Sequence, residues 1–180
     1  MKSPFVYAGN LIRKGLYKIR YGSKLHMGNI QSFQHIGMEI RNGGEISIGS
    51  YCQNRGKVWL ICDGGVLKIG SHCFFNTNSS ITSMSSITIG DNCKFGNNIV
   101  IVDHDHNYRR KDESEPEFIS TPVSIGDNTW VGANVVILRG TRIGKNCMIG
   151  AGSVVKGEMT DGTRIIQNKE SIKSKIKCVS

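Results

Sequence analysis

Residues 125–160 read IGDNTW, VGANVV, ILRGTR, IGKNCM, IGAGSV, VKGEMT when the chain is cut every six residues. Ile125, Val131, Ile137, Ile143, Ile149 and Val155 open the six units without a slip, and Gly126, Gly132, Gly144 and Gly150 follow four of them. The fifth place is small, with Thr129, Val135, Thr141, Cys147 and Ser153. An amphipathic strand repeats every two residues and a helix about every 3.6, so neither yields a strict six. The period is that of three short strands per turn of a triangular coil, with coils stacked about 4.8 Å apart. In that all-β prism the leading aliphatic points inward and the fifth residue packs close to a corner. Glycine is expected to supply the tight backbone conformation of the corner.

The same signature opens blocks upstream at Ile48-Gly49, Ile69-Gly70 and Ile89-Gly90, with Cys52, Cys73 and Cys93 in the fifth place. The intervals to Ile125 are 21, 20 and 36 residues, against 18 for three hexapeptides. Small insertions explain the first two, and one loop of about a coil's length explains the third. Cys52, Cys73, Cys93 and Cys147 therefore read as core filler; no C-x-x-C pair occurs. Cys62 and Cys178 fall outside the rule. The chain divides into an N-terminal extension over 1–24, a prism over 25–160 with a loop at 102–122, and a tail over 161–180.

The 22 glycines, 3 prolines and 7% aromatics suit regular tight turns in one domain. The net charge of +9 comes mainly from the two ends, Lys2 to Lys24 and Lys156 to Lys177. No basic stripe with interleaved aromatics crosses the middle, which argues against a nucleic-acid partner. No run approaches the roughly 18 apolar residues of a membrane span, and no signal peptide is legible, so a cytoplasmic location is expected.

In residues 4–21, Phe5, Val6, Leu11, Ile12, Leu16 and Ile19 fall loosely on one helical face, and Arg13, Lys14, Lys18 and Arg20 on much of the rest. One reading is a helix packed on the first coil, although Gly9 and Gly15 weaken it. The other is a basic amphipathic segment in peripheral contact with an anionic membrane.

The long interruption reads VDHDHNYRRKDESEPEFISTPVS, polar and charged. Inserts in repeat proteins map to surface loops, which commonly carry function on a rigid scaffold. His104 and His106 stand at its base beside Asp103 and Asp105. Histidine suits proton abstraction near neutral pH, and a neighbouring carboxylate or carbonyl fixes its tautomer.

The motifs IGDNCKFGNNIVIVDHDH and TPVSIGDNTWVGANVVILRGTRIGKNCMIGAGSVV resemble those of the hexapeptide-repeat O-acetyltransferases. That family includes galactoside and maltose acetyltransferases and those acting on capsular or sialic-acid polysaccharides. The resemblance spans about residues 45–160. It implies a left-handed parallel β-helix, a homotrimer with sites between subunits, and acetyl-CoA as co-substrate with no metal. The acceptor it implies is a sugar hydroxyl, in bacterial surface-polysaccharide synthesis. It also implies a loop histidine as general base, eleven residues after Phe95 and twenty-four before Trp130; both counts select His106, with His104 as runner-up. A backbone N–H or the Trp130 indole would meet the oxyanion. By the same resemblance Asn76 faces the acceptor, although it is equally a turn-closing residue; Asp103, beside the histidines, is a further candidate contact to the acceptor. Trp130, Ala133 and Ala151 would line the pantetheine arm, and Lys156 with Lys173 or Lys175 would meet the phosphates. The chain departs from the family after GAGSVV, where Lys-Gly-Glu and later IIQNKESIKSKI replace the usual ending.

Three other readings share this scaffold. N-acetylation of a nucleotide-linked amino sugar uses the same prism. A γ-type carbonic anhydrase would hold zinc on His72, His104 and His106, but that family spaces two of its ligands differently and lacks the Trp130 context. A non-catalytic scaffold gives no reason for paired histidines at one loop.

Overall fold

The computed structural model describes residues 4–33 and 35–167; Lys173, Lys175 and Cys178 lie outside them. The chain forms a left-handed parallel β-helix whose three faces are parallel sheets. The first face carries seven strands, from Leu25–Met27 through Ser86–Ile89 and Val123–Ile125 to Glu158–Met159. The second carries six, from Gln53–Asn54 to Arg164–Ile165, and the third six, from His35–Arg41 to Val154–Val155. The prism thus runs past residue 160, since Arg164–Ile165 pairs with Met148–Ile149.

The register follows the repeat. Ile48, Ile69, Ile89, Ile125 and Ile143 are successive partners on the first face, and Leu60, Ile81, Ile101, Ile137 and Val155 on the third. These columns are buried and form one continuous core. The extra residues of the early coils lie in the long third-face strands His35–Arg41 and Lys57–Asp63 and the turns after them. On the second face Phe75 and Phe95 stack with centroids 4.7 Å apart and planes within 3°. Phe95→Ala would leave a void between rigid coils that cannot collapse into it. The expected loss is about 3–5 kcal/mol of stability, read as a lower urea midpoint at unchanged slope.

The expected role of glycine is corrected. The left-handed corner residues are mostly asparagines in the fourth place, including Asn92 (φ 58°), Asn128 (φ 58°) and Asn146 (φ 56°). Their amides form ladders between coils, as in Asn78 to Asn98 and Asn98 to Asn134, each 2.9 Å. The glycine in the second place is needed for close approach: a Cβ on Gly126 would lie 2.6 Å from the Gly144 carbonyl carbon and the Lys145 nitrogen. The aspartates beside it cap backbone N–H groups, Asp127 accepting from Asp91 at 3.0 Å. Lys145 hydrogen-bonds Asp127 and holds its carboxyl below the usual range.

The fifth-place cysteines are buried. Their thiols also donate to the next coil: Cys52 to the Gly70 carbonyl and Cys73 to that of Gly90, both 3.1 Å. Thr129 occupies the same place and donates to Gly144 at 3.2 Å. Cys62, without a role in the repeat, is buried under the third-face edge and donates to the Gly65 carbonyl at 3.0 Å. Burial pushes its thiol pKa up, which keeps it protonated and unreactive.

A helix, α1 (Pro4–Tyr21), closes the first end of the prism. The first coil has no earlier coil to satisfy its carbonyls. Arg13 donates to Phe33, Lys14 to Gly28, Tyr17 to Ile36, Lys18 to Leu25 and Tyr21 to Met38, at 2.8–3.1 Å. The helix therefore caps the prism with its polar face.

Candidate active site

The third-face strand Val100–Val102 ends at Asp103, where the chain leaves the prism. The expected loop is a two-stranded arm: residues 104–106 pair antiparallel with Phe118–Ser120, His104 opposite Ser120 and His106 opposite Phe118. The two-residue period puts both histidines on one side of this ribbon and Asp105 on the other. The arm re-enters the prism at Thr121, whose N–H donates to the Asp103 carbonyl at 2.8 Å.

Arg139, in the coil that follows, fastens the arm. Its Nε is 2.5 Å from Asp105 Oδ2, and its Nη1 donates to Thr121 Oγ1 at 3.2 Å. One planar guanidinium thus ties both strands of the arm to the rigid core. Arg139 escaped the sequence reading, although a charged residue before Gly140 in an otherwise regular repeat is a visible irregularity. Phe118, which follows the acidic run of the insert, was missed too. Its ring meets His104 edge-on at 5.7 Å and lies tilted against His106 at 4.6 Å.

The two histidines differ in their partners. Asp103 is fully buried, and its carboxylate accepts from Ser83 Oγ at 2.9 Å and from the N–H groups of Met84 and Ser85 at 2.8 Å. Its Oδ1 is also 3.2 Å from His104 Nδ1. Because the other three partners are donors, the His104 bond is best made with the proton on Nδ1. That tautomer leaves Nε2 as a free acceptor. The His104 side chain is 16% exposed. His106 is exposed, and among the described residues its ring contacts Phe118 without a carboxylate partner. Expecting Asp103 to touch the acceptor conflicts with its burial: all its contacts are internal, and the one that leads outward runs through His104.

The remaining candidates sit on other edges. Asn76 lies at the edge between the second and third faces, where its Oδ1 accepts from Thr77 N–H at 3.1 Å and closes the turn. Ala133 and Ala151 follow on that edge one coil apart, joined by Gly152 N–H to the Ala133 carbonyl at 2.8 Å. Their small side chains leave the edge shallow. Trp130 opens the second-face strand between Lys94 and Met148, with 49% of its surface exposed. Lys156 is exposed at the edge His104 shares, two coils further on. A third-face strand separates His104 from Asn76, five residues in Ser79–Ser83, or roughly 16 Å at about 3.3 Å per residue. One chain therefore does not gather these residues into one pocket. Nor does it gather His72, which sits on a first-to-second-face corner stacked on Tyr51 at 4.9 Å. Among the described residues no group of three or more metal-ligating side chains forms.

Comparison with known proteins adds the relationship. The family described as bacterial transferase hexapeptide (six repeats) matches residues 122–157, and the hexapeptide repeat of succinyl-transferase matches residues 66–102. WbbJ of Escherichia coli (strain K12), which bears the name "putative lipopolysaccharide biosynthesis O-acetyl transferase", is 32% identical over 141 residues, 70% of this chain and 69% of that protein. The galactoside O-acetyltransferase of the same strain is 38% identical over 82 residues, 46% of this chain. The match spans only 40% of that relative's own length. A hexapeptide-repeat-containing acetyltransferase of Vibrio cholerae O1 biovar eltor, complexed with acetyl coenzyme A, superimposes with a TM-score of 0.56. It is 27% identical, over 86% of this chain and 71% of that one.

Proposed function

Because the chain belongs to the hexapeptide-repeat acetyltransferase family, we propose that it is an acetyl-CoA-dependent O-acetyltransferase acting on a sugar hydroxyl in surface-polysaccharide synthesis. The observation that carries the catalytic part is the bond from buried Asp103 to His104 Nδ1. It supports His104 as general base in our reading, in place of His106, the residue favoured by counting along the chain. A base needs an unprotonated nitrogen held in a known direction, and Asp103 supplies that hold through three further internal bonds.

In the proposed reaction His104 Nε2 takes the proton of the acceptor hydroxyl as its oxygen attacks the thioester carbonyl. The C–S bond breaks, and the CoA thiolate leaves and is protonated from His104. The product is an acetyl ester with free CoA. Phe118 holds both histidine rings, and Arg139 keeps the arm from swinging. His106, on the same side of the arm, is available to the acceptor.

The edge carrying Ala133 and Ala151 and the exposed Trp130 suit a long, thin, partly apolar arm of the CoA kind. Their separation from His104 is bridged if a neighbouring copy brings its edge to this one, so we assign a homotrimer with sites between prisms. The deciding experiment follows CoA release with acetyl-CoA and a panel of sugars, oligosaccharides, nucleotide sugars and nucleotide-linked amino sugars. The expected product, freed of acetyl-CoA, is an oxygen ester, stable to neutral and cleaved by alkaline hydroxylamine. A hydroxylamine-stable amide formed only from amino sugars would replace the hydroxyl acceptor by an amine.

A further inference from the structure

We infer that α1 is a docking surface for an anionic lipid bilayer. The helix is mounted inside out relative to an ordinary surface helix, which buries its apolar stripe and wets its polar one. Here five polar side chains are committed inward, to the carbonyls of the first coil. The apolar residues Leu11, Ile12, Leu16 and Ile19 consequently face solvent, from 63% exposed at Leu16 to 84% at Ile19. Turning the stripe inward would break five hydrogen bonds and orphan the carbonyls they satisfy, so the orientation is held by the prism itself.

Ile30 extends this apolar surface. It lines the same depression as Leu11, is itself 58% exposed, and adopts φ 51°. A β-branched residue pays for that conformation more than asparagine, the residue at most of the other left-handed corners. An exposed isoleucine held there, where asparagine would be relaxed and soluble, adds to the patch beside the helix.

The charge around the patch chooses the occupant. Residues 4–21 contain no Asp or Glu; Arg20 is exposed beside the stripe, and Arg13, Lys14 and Lys18, although hydrogen-bonded to the first coil, keep this end of the molecule positively charged. Such a combination of an exposed apolar face and a net positive end matches a bilayer bearing anionic headgroups, into which the aliphatic tips insert while the positive charge around them is attracted to the phosphates. No helix among the described residues is long and apolar enough to cross a membrane, so the contact is a surface one. The arm carrying His104 starts from the fourth third-face strand, three coil steps from the first, or roughly 15 Å along the axis. Docking through α1 leaves it uncovered. Surface binding requires no acetyl transfer, so the failure of either idea leaves the other standing.

The test is co-sedimentation of the full chain with phosphatidylcholine vesicles, with and without phosphatidylglycerol. The expected result is binding to the anionic vesicles that weakens as salt is raised, and about tenfold less binding for the Leu16→Glu/Ile19→Glu double variant. The Leu16→Ser/Ile19→Ser variant, which adds no charge, separates lost insertion from new repulsion and is expected to bind weakly too. Both variants keep the unfolding temperature of the parent, because neither position touches the prism. Three results would overturn the inference. These are no sedimentation of the parent with anionic vesicles, binding by both variants equal to that of the parent, or a lower sedimentation-equilibrium mass of the lipid-free variants. The last would show that the face lies between copies of this chain.

Discussion

His104→Ala lowers the rate of acetyl transfer by about 10²–10⁴-fold, the usual worth of a positioned general base, while His106→Ala costs less than about tenfold. The two residues stand on the same side of the arm, two positions apart, and both rings touch Phe118. Among the described residues the bond to Asp103 and the lower exposure of His104 set the two apart. The variants are to be compared in kcat/KM with the best acceptor of the panel, and in unfolding temperature to confirm that each folds. Equal losses would mean that both histidines act on the acceptor. A large loss for His106→Ala alone would return the base to the position counted from Phe95 and Trp130. Asp103 is unsuited to a clean test, since its removal would orphan the Ser83 hydroxyl and the N–H groups of Met84 and Ser85 in the core.

Gly126→Val is expected to destabilise the prism strongly. Even the first carbon of the new side chain meets backbone atoms of the next coil at 2.6 Å, and backbone cannot rotate away as a side chain does. The coils must separate locally, breaking the bond from Gly126 N–H to the Ile143 carbonyl at 2.8 Å. Overpacking costs about 1–3 kcal/mol, and a clash with backbone puts this change at the upper end, a fall of roughly 6–12 °C in unfolding temperature for a domain of this size. Gly9→Ala is the matched contrast. It lies in α1 with nothing within 4 Å of the new carbon, so helix propensity alone acts and the change stabilises by about 0.5–1 kcal/mol. Calorimetric unfolding of both variants checks the pair. A Gly126→Val protein as stable as its parent would mean that the coils slide apart without cost.

Parts of the molecule differ in how far they could be read along the chain. The hexapeptides of residues 125–160 repeat a local geometry, so each unit reports its own inward residue and small corner residue, and the buried columns follow. The function of glycine was misplaced because its requirement comes from the coil above, 18 residues away for Gly126 and Gly144. The corner that seemed to need glycine is taken by asparagine, whose side chain gains a partner from the stacking. The interruption after Val102 was legible as a loop by its length and polarity, but its antiparallel pairing was not.

The order of residues alone thus determined the β-helix, its faces, its buried columns and the place where it is interrupted, because a six-residue period dictates side-chain direction unit by unit. Tertiary structure decided what depends on where distant segments meet. Ser83 and Asp103 are 20 residues apart, and Asp105 and Arg139 are 34. Those meetings give His104 its carboxylate and fix the arm. The same holds for α1: helical periodicity separates an apolar from a basic face, but only the row of open carbonyls on the first coil turns the basic face inward.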